Sequence, residues 1–286
     1  MTRHFLKASM VGACALAYVS SSAIAAGPEI EIEKVQWPFS GIRGQFDKAQ
    51  LQRGFQVYKE VCSACHGLNR IYFRNLTQPG GPEFPEEAVK ALAAEWPNQI
   101  TDGPNDEGAM FERPARLPDP IRGPYKNEKE ARSVQNGAYP PDLSLIARAR
   151  SVERHAHWTV HPFLMLGDIA KGYQEGGADY LHALLTGYVD APADVTVGEG
   201  MHYNKAFPGH QLAMPPPLSD GVVTYQDGTP ATVESYSRDV TAFLSWAADP
   251  THDQRKRIGW QVLLYLLVTT VLLYLGKKRI WANVKH

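Results

Sequence analysis

Val61-Cys62-Ser63-Ala64-Cys65-His66 sets two thiols three positions apart, with an imidazole directly after the second. Each thiol can form a thioether with one vinyl group of a haem, and the histidine then lies under the iron as its proximal ligand. The reading is one covalently bound haem c. Two other chemistries use a Cys-x-x-Cys pair. A thioredoxin-like redox site should follow a strand within a βαβ pattern, and none is visible. A structural zinc site needs four ligands, and there is no second cysteine pair. The third cysteine, Cys14, falls in a segment read below as removed, which leaves the mature chain with the motif cysteines alone.

Both ends of the chain carry a membrane signature. Arg3 and Lys7 precede a small-apolar run from Ala8 to Ala26, which closes on Ala23-Ile24-Ala25. That is the charged start, apolar middle and A-x-A site of a secretory signal, so residues 1–25 are expected to be cleaved near Ala25 or Ala26. The product faces an oxidising compartment, where thioether attachment of haem also takes place. Near the other end, Ile258 to Leu275 is eighteen residues without a formal charge. At 1.5 Å per residue it spans roughly 27 Å, enough for a thin hydrocarbon core. Trp260, Tyr265, Tyr274 and Trp281 mark the interfaces. Basic triplets flank the span at 255–257 and 277–279, so charge alone leaves its orientation nearly undecided. Export decides it: residues 26–254 form a periplasmic haem domain, and 255–286 an anchor with a short cytoplasmic tail. The net charge of −1 conceals an asymmetry. Residues 27–254 hold 20 basic against 30 acidic residues. Such a domain is a poor nucleic-acid binder and an electrostatic match for a basic protein. Glu83, Glu86, Glu87, Asp102, Asp106 and Glu107 gather in one region, as a docking patch or as a solvated face.

Between these ends the pattern is helical with long loops. Asp47 is placed to cap a helix over 48–61, with Leu51, Phe55 and Tyr58 on its buried stripe. Gly54 lowers helix propensity there, and its use would be a close helix crossing. A second helix fits 84–95. Pro140-Pro141-Asp142-Leu143-Ser144 begins a third, running to about Arg150. Residues 151–178 have no clear period and read as an inserted loop. Asp179 is placed as the cap of a helix through Leu185 that Gly187 ends. Residues 188–234 are loop-rich, and Ser237 is placed as the cap of a last soluble helix over 238–248.

The iron needs a sixth ligand or an open position. Methionine suits an electron carrier, because a soft thioether favours ferrous iron and raises the potential. Met214 is the choice, in the proline-stiffened strip Met214-Pro215-Pro216-Pro217. Met201 and His202 are its rivals.

The ordered set Arg53-Gly54, Cys62–His66, Asn136–Ser144, Arg148-Ala149-Arg150, Asp179-Tyr180 with Leu184–Tyr188, Ala213–Leu218 and Arg255-Lys256-Arg257 resembles the cytochrome c1 family. Its members are the membrane-anchored haem subunits of the ubiquinol–cytochrome c reductase complex. The resemblance covers essentially the whole mature chain. It implies a mainly α, class I cytochrome c-like haem domain with long loops, plus one C-terminal transmembrane helix. It implies that Met214 is the sixth ligand, that Arg150 and Tyr180 contact a haem propionate, and that Pro141 lies against the haem face. The implied partners are cytochrome b, a Rieske iron–sulfur protein as electron donor, and a soluble or membrane-bound cytochrome c as acceptor, in a dimeric complex within the bacterial inner membrane. The stretches 151–178 and 188–210 are longer than a minimal member needs. Two readings of another class stand beside this one: a tethered haem enzyme or sensor with an open sixth site, and a zinc-bound structural protein.

Overall fold

The first long helix, α1 (Lys48–Glu60), forms where the sequence places it. The Asp47 carboxylate accepts from the Gln50 amide at 2.7 Å, and Val61 closes the other end. Its buried stripe, Leu51, Gly54, Phe55, Val57 and Tyr58, lies against α7 (Val233–Ala248). The computed structural model describes residues 30, 32–41, 43–150, 158–170 and 176–283. The secretory segment therefore lies outside the described residues. Residues 32–286 form one unit, and the other described helices are α2 (Glu86–Ala94), α3 (Glu128–Val134), the single turn α4 (Ile146–Ala149), α5 (His161–Ala170), α6 (Gly176–Thr186) and α8 (His252–Trp281). Three two-stranded antiparallel ribbons interrupt the loops: β1 (Leu68–Tyr72) with β4 (Pro120–Ile121), β2 (Ile100–Asp102) with β3 (Phe111–Arg113), and β5 (His202–Tyr203) with β6 (Gln211–Leu212). The architecture is mainly α with long loops and one apolar C-terminal helix, as expected.

Gly54 marks the crossing of α1 and α7. A Cβ added there would stand 2.1 Å from the Asp239 carbonyl oxygen and 2.7 Å from Phe243 Cβ. Backbone occupies that space, so the smallest side chain forces the helices apart. Phe243 packs edge-on to Phe55 at 5.5 Å and tilted to Tyr58 at 5.9 Å, which ties the crossing into the core. Gly54→Ala is expected to cost about 1–3 kcal/mol from overpacking. Urea unfolding of the haem-loaded chain measures this, and an unchanged midpoint would show that the crossing relaxes freely.

The second turn of the core is a staple beside the haem motif. Arg113 reaches Asp119 through two bonds, at 2.6 and 3.0 Å, and Asp119 also accepts from the Arg116 amide at 2.7 Å. This fixes the chain just before β4, and β4 pairs with β1 through Leu68 and Ile121. The Arg113 guanidinium holds the buried Asp119 carboxyl below the ordinary carboxylate range, against the opposing effect of burial. A depressed folded pKa contributes stability that is present above the unfolded value, about 3.9, and is lost as pH falls through the folded value. Asp119→Asn is therefore expected to lower stability at pH 7, with the gap to wild type closing below about pH 4. Chemical denaturation at several pH values reads this out. A gap that stayed constant with pH would remove the charge from the explanation.

Four boundaries differ from expectation. The Pro140–Ser144 stretch does not begin a helix. The Asp142 carboxylate takes the amides of Ser144 and Asn69, and the Leu143 amide donates to Gly67, so only Ile146–Ala149 are left to form a turn. Asp179 does not cap α6. It lies buried within the first turn, and its carboxylate accepts from Trp37 Nε1 at 2.8 Å and the Val35 amide at 3.1 Å. Gly187 follows α6 because the space is closed: a Cβ would meet the Ala183 carbonyl at 2.5 Å. Ser237 is buried inside α7, paired with His182 Nδ1 at 2.8 Å, and Thr232 caps that helix instead. The inserted stretch 151–178 holds a helix, α5, and the first residues of α6. Within the loop-rich 188–210, Tyr188 bridges to Asn204, and β5 pairs with β6 just beyond.

Candidate haem site

The end of α1 delivers the motif. After Val61 the chain tightens into a 3₁₀ turn over Cys62–Ala64, and the amides of Cys65 and His66 both donate to the Cys62 carbonyl at 3.1 and 2.9 Å. One turn of backbone thus carries both thiols and the imidazole. Three contacts clamp it. Tyr58 Oη donates to the His66 carbonyl at 3.0 Å. The Leu143 amide donates to the Gly67 carbonyl at 2.9 Å. Gly67 and Gly123 meet backbone to backbone, so closely that a Cβ on Gly67 would stand 2.6 Å from the Gly123 nitrogen.

The His66 ring is set by its neighbour. Nδ1 lies 2.7 Å from the Pro141 carbonyl oxygen. A carbonyl can only accept, so Nδ1 carries the proton and donates. The neutral ring then has its lone pair on Nε2, the form a metal binds. Burial holds the imidazole below its usual pKa, although the Pro141 carbonyl and Asp142 act the other way. The ring therefore stays neutral at pH 7. Burial, with Cys65 alongside, pushes the Cys62 thiol up to about 12. No disulfide joins Cys62 to Cys65. The donor set fits a c-type haem: two adjacent thiols, and an imidazole whose second nitrogen is tied down. A cleft of about 740 Å³ borders Cys65, Gly67, Tyr125, Tyr139 and Asp142.

A second group of the singled-out residues gathers around α4, α6 and the strip Met214–Pro217. Gly177 lets α6 cross α4, since a Cβ there would fall 1.8 Å from the Ala147 carbonyl and 2.5 Å from that of Arg150. Tyr180, on α6, is buried, and burial raises its phenol while the charge of Arg150 pulls it back. Arg150 is exposed at the end of α4, close enough to be felt by that phenol. Tyr188 is raised by burial and by Tyr180, so the two phenols are neighbours. Tyr188 Oη donates to the Met214 carbonyl at 3.0 Å. Met214 itself is half-buried, with Pro215 and Pro216 exposed beyond it. Met201 and His202 line a separate cleft of about 650 Å³, together with Tyr188 and Pro216.

The seven residues singled out in the sequence thus fall into two groups. Cys62, Cys65, His66 and Pro141 are one. Arg150, Tyr180 and Met214 are the other, joined through Tyr188. The stretch from Pro141 to Arg150 links the groups. Sequence reasoning missed Tyr188, Asp142 and the Gly67–Gly123 contact. The glycine directly after His66 and the aspartate directly after Pro141 were visible signals, whereas nothing local marks Gly123 as its partner.

A family model, the Cytochrome C1 family, matches residues 37–284. The chain belongs to the cytochrome c1 family. The matched region contains the motif, both groups of residues and nearly all of the chain through α8. Cytochrome c1 of Blastochloris viridis is 51% identical over 249 residues, covering 87% of this chain and 86% of that protein. Cytochrome c1 of Rhodospirillum rubrum is 39% identical over 297 residues, covering 98% of each. The cytochrome b/c1 protein of Bradyrhizobium diazoefficiens is 50% identical over 249 residues, 87% of this chain, which spans about a third (35%) of that longer protein. Membership in the cytochrome c1 family makes this a haem subunit of the ubiquinol–cytochrome c reductase complex, with haem as its cofactor. Among the described residues, one helix, α8, is long and apolar enough to cross a membrane, with a mean hydropathy of 1.9 over its most apolar stretch and none of that stretch buried against protein.

Proposed function

We propose that this chain carries one covalent haem c and relays single electrons from a Rieske iron–sulfur protein to a soluble or membrane-bound cytochrome c. In this reading Cys62 and Cys65 would hold the haem covalently, His66 Nε2 and Met214 would ligate its iron, Arg150 and Tyr180 would serve a propionate, and Pro141 would pack against the ring. The supporting observation is the bond from His66 Nδ1 to the Pro141 carbonyl, which leaves the lone pair of the neutral ring on Nε2, where a metal could take it. When bound, the haem supplies a reversible one-electron couple. The protein supplies the rest. The Pro141 carbonyl orients the imidazole and raises its basicity. A thioether at the sixth position excludes exogenous ligands and favours the reduced state. An arginine beside a partly buried carboxylate offsets its desolvation. No proton transfer or nucleophile is required. The domains follow from the same reading: a signal peptide over 1–25, a periplasmic haem domain over 26–254, and an anchor with a short cytoplasmic tail over 255–286, in a dimeric complex of the inner membrane with cytochrome b and the iron–sulfur subunit.

Intact-mass measurement of the purified chain tests the attachment. The expected mass is that of residues from about 26 onward plus one haem that survives denaturation. A chain without the added mass, or with zinc in its place, would overturn the reading. The bond between Tyr188 and the Met214 carbonyl gives a finer test. Tyr188→Phe removes one hydrogen bond, worth about 1 kcal/mol. The expected result is a loosened sixth ligand, seen as partial carbon monoxide binding by the reduced haem with the protein still folded. Full resistance to carbon monoxide in that variant would show that Met214 is held without Tyr188.

A further inference from the structure

The inserted helix α5 carries a surface that the proposed electron path does not use. Trp158, just before it, is 77% exposed, Phe163 is 73% exposed, and Met165 and Leu166 are 63% exposed each. Val160 and Leu164 are also open. No residue from Trp158 to Leu166 carries a formal charge. Contiguous open apolar surface of this kind marks a contact with a membrane or a partner. Phe163 to Leu166 are four consecutive residues, and successive side chains on a helix advance by about 100°. They therefore ring most of a turn. A flat protein face covers one side of such a helix, whereas lipid chains cover it from several.

The foot of this excursion is fixed at the membrane end of the domain. Arg148 Nη2 donates to Asp249 at 2.7 Å, and Arg255 in the first turn of α8 bonds the same carboxylate. One residue along, Lys256 Nζ donates to the carbonyls of Phe39, Gly41 and Gly44 at 2.8, 2.6 and 3.0 Å. The folded domain thus rests on the top of α8. Ile258, where the apolar run begins, is three residues beyond Arg255, or about 4.5 Å of rise. Arg148 therefore stands at the level where headgroups begin. Arg150, two residues later, is where the chain leaves α4 toward α5. Arg257, exposed at the same level, suits a surface of anionic phosphates.

We propose that α5, with Trp158, lies in the headgroup–acyl boundary of the same bilayer that α8 spans. The insertion is then a second, interfacial foothold for the haem domain, restricting its tilt above the membrane. An exposed apolar turn with a tryptophan just before it has the composition of the lipid-facing part of such an anchor. The inference rests on α8 being the membrane span, and the test separates the two.

The full, haem-loaded chain is placed in nanodiscs of phosphatidylcholine and phosphatidylglycerol, with a nitroxide at Phe163→Cys. Labels at Leu267→Cys in α8 and Asp106→Cys in an exposed loop serve as references. Relaxation by oxygen reports lipid, and relaxation by a water-soluble nickel chelate reports solvent. The expected result is that position 163 loses the nickel relaxation seen at position 106 and shows oxygen relaxation like that at 267. Met165→Cys repeats the measurement, so that the loss of one apolar side chain does not decide it. Water-like labels at 163 and 165 with a lipid-like label at 267 would overturn the foothold and leave the span intact. Labels at 163 and 165 shielded from both reagents would also overturn it, in favour of a protein contact. A water-like label at 267 would remove the span, and this inference with it.

Discussion

Met214→Leu yields a haem that binds carbon monoxide when reduced, and whose potential falls by on the order of 100 mV, within the range of about 0.8 V that axial ligands command. Leucine keeps the volume and apolarity of the strip but has no donor atom, so the change isolates ligation from packing. The backbone at this position is held independently of the side chain, since Tyr188 bonds the Met214 carbonyl and three prolines follow. The fold should therefore survive, with an unchanged covalent haem and a changed sixth position. Quinol–cytochrome c reductase activity of membranes carrying the variant should fall steeply, because a lowered potential opposes electron entry from the iron–sulfur donor. Optical redox titration and carbon monoxide difference spectra measure both effects. An unchanged spectrum and potential would move the sixth ligand elsewhere, with Met201 and His202 as the first places to look.

Arg53→Ala should cost about 3–5 kcal/mol, the penalty for leaving a buried charge without its partner. Arg53 Nε and Nη2 donate to the two oxygens of Asp239 at 2.8 and 3.3 Å, and Nη1 donates to Asp227 at 2.8 Å. The Asp239 side chain is only 4% exposed, so water cannot replace the guanidinium. The pair joins α1 to α7 one residue from the Gly54 crossing, and α1 ends in the haem motif. A loss of this size in a domain of over 200 residues lowers the melting temperature by about 10 °C. Adding Asp239→Asn in the Arg53→Ala background should recover much of the loss, because the orphaned charge is then gone. A double variant no more stable than Arg53→Ala would mean that the cost arises from lost packing over Tyr225, 5.9 Å from the guanidinium, and not from charge.

What could be read in the sequence was whatever a short stretch of chain determines. The Asp47 cap, the α1 stripe and the turn that carries both cysteines and His66 are local, and they stand where the pattern put them. The apolar run of α8 is equally local, although the helix itself extends back to His252, through the basic triplet. Boundaries failed where a distant residue claimed a local donor or acceptor. Asp179 and Ser237 have the chemistry of helix caps. Trp37 is 142 positions from Asp179, and His182 is 55 from Ser237, and these partners draw both residues inside their helices. Asp142 stops a helix from starting by reaching Asn69, 73 positions away. The same limit applies to the site. His66 was legible, but the carbonyl that sets its tautomer belongs to Pro141, which only the fold brings near. Met214 was chosen from composition and order, while Tyr188, its hydrogen-bonding partner, stood in the matched set with no role assigned to it. Helix α5 was hidden because its apolar residues follow one another without the period that one buried face imposes.

The most direct test of the electron-carrier account is the optical spectrum of the unmodified chain in its membrane, reduced and then exposed to carbon monoxide. The account predicts a sharp low-spin c-type band that carbon monoxide leaves unchanged, as a haem with both axial positions filled by protein requires. A wild-type haem that binds carbon monoxide readily would contradict it, and would favour a tethered haem enzyme or sensor with an open sixth site.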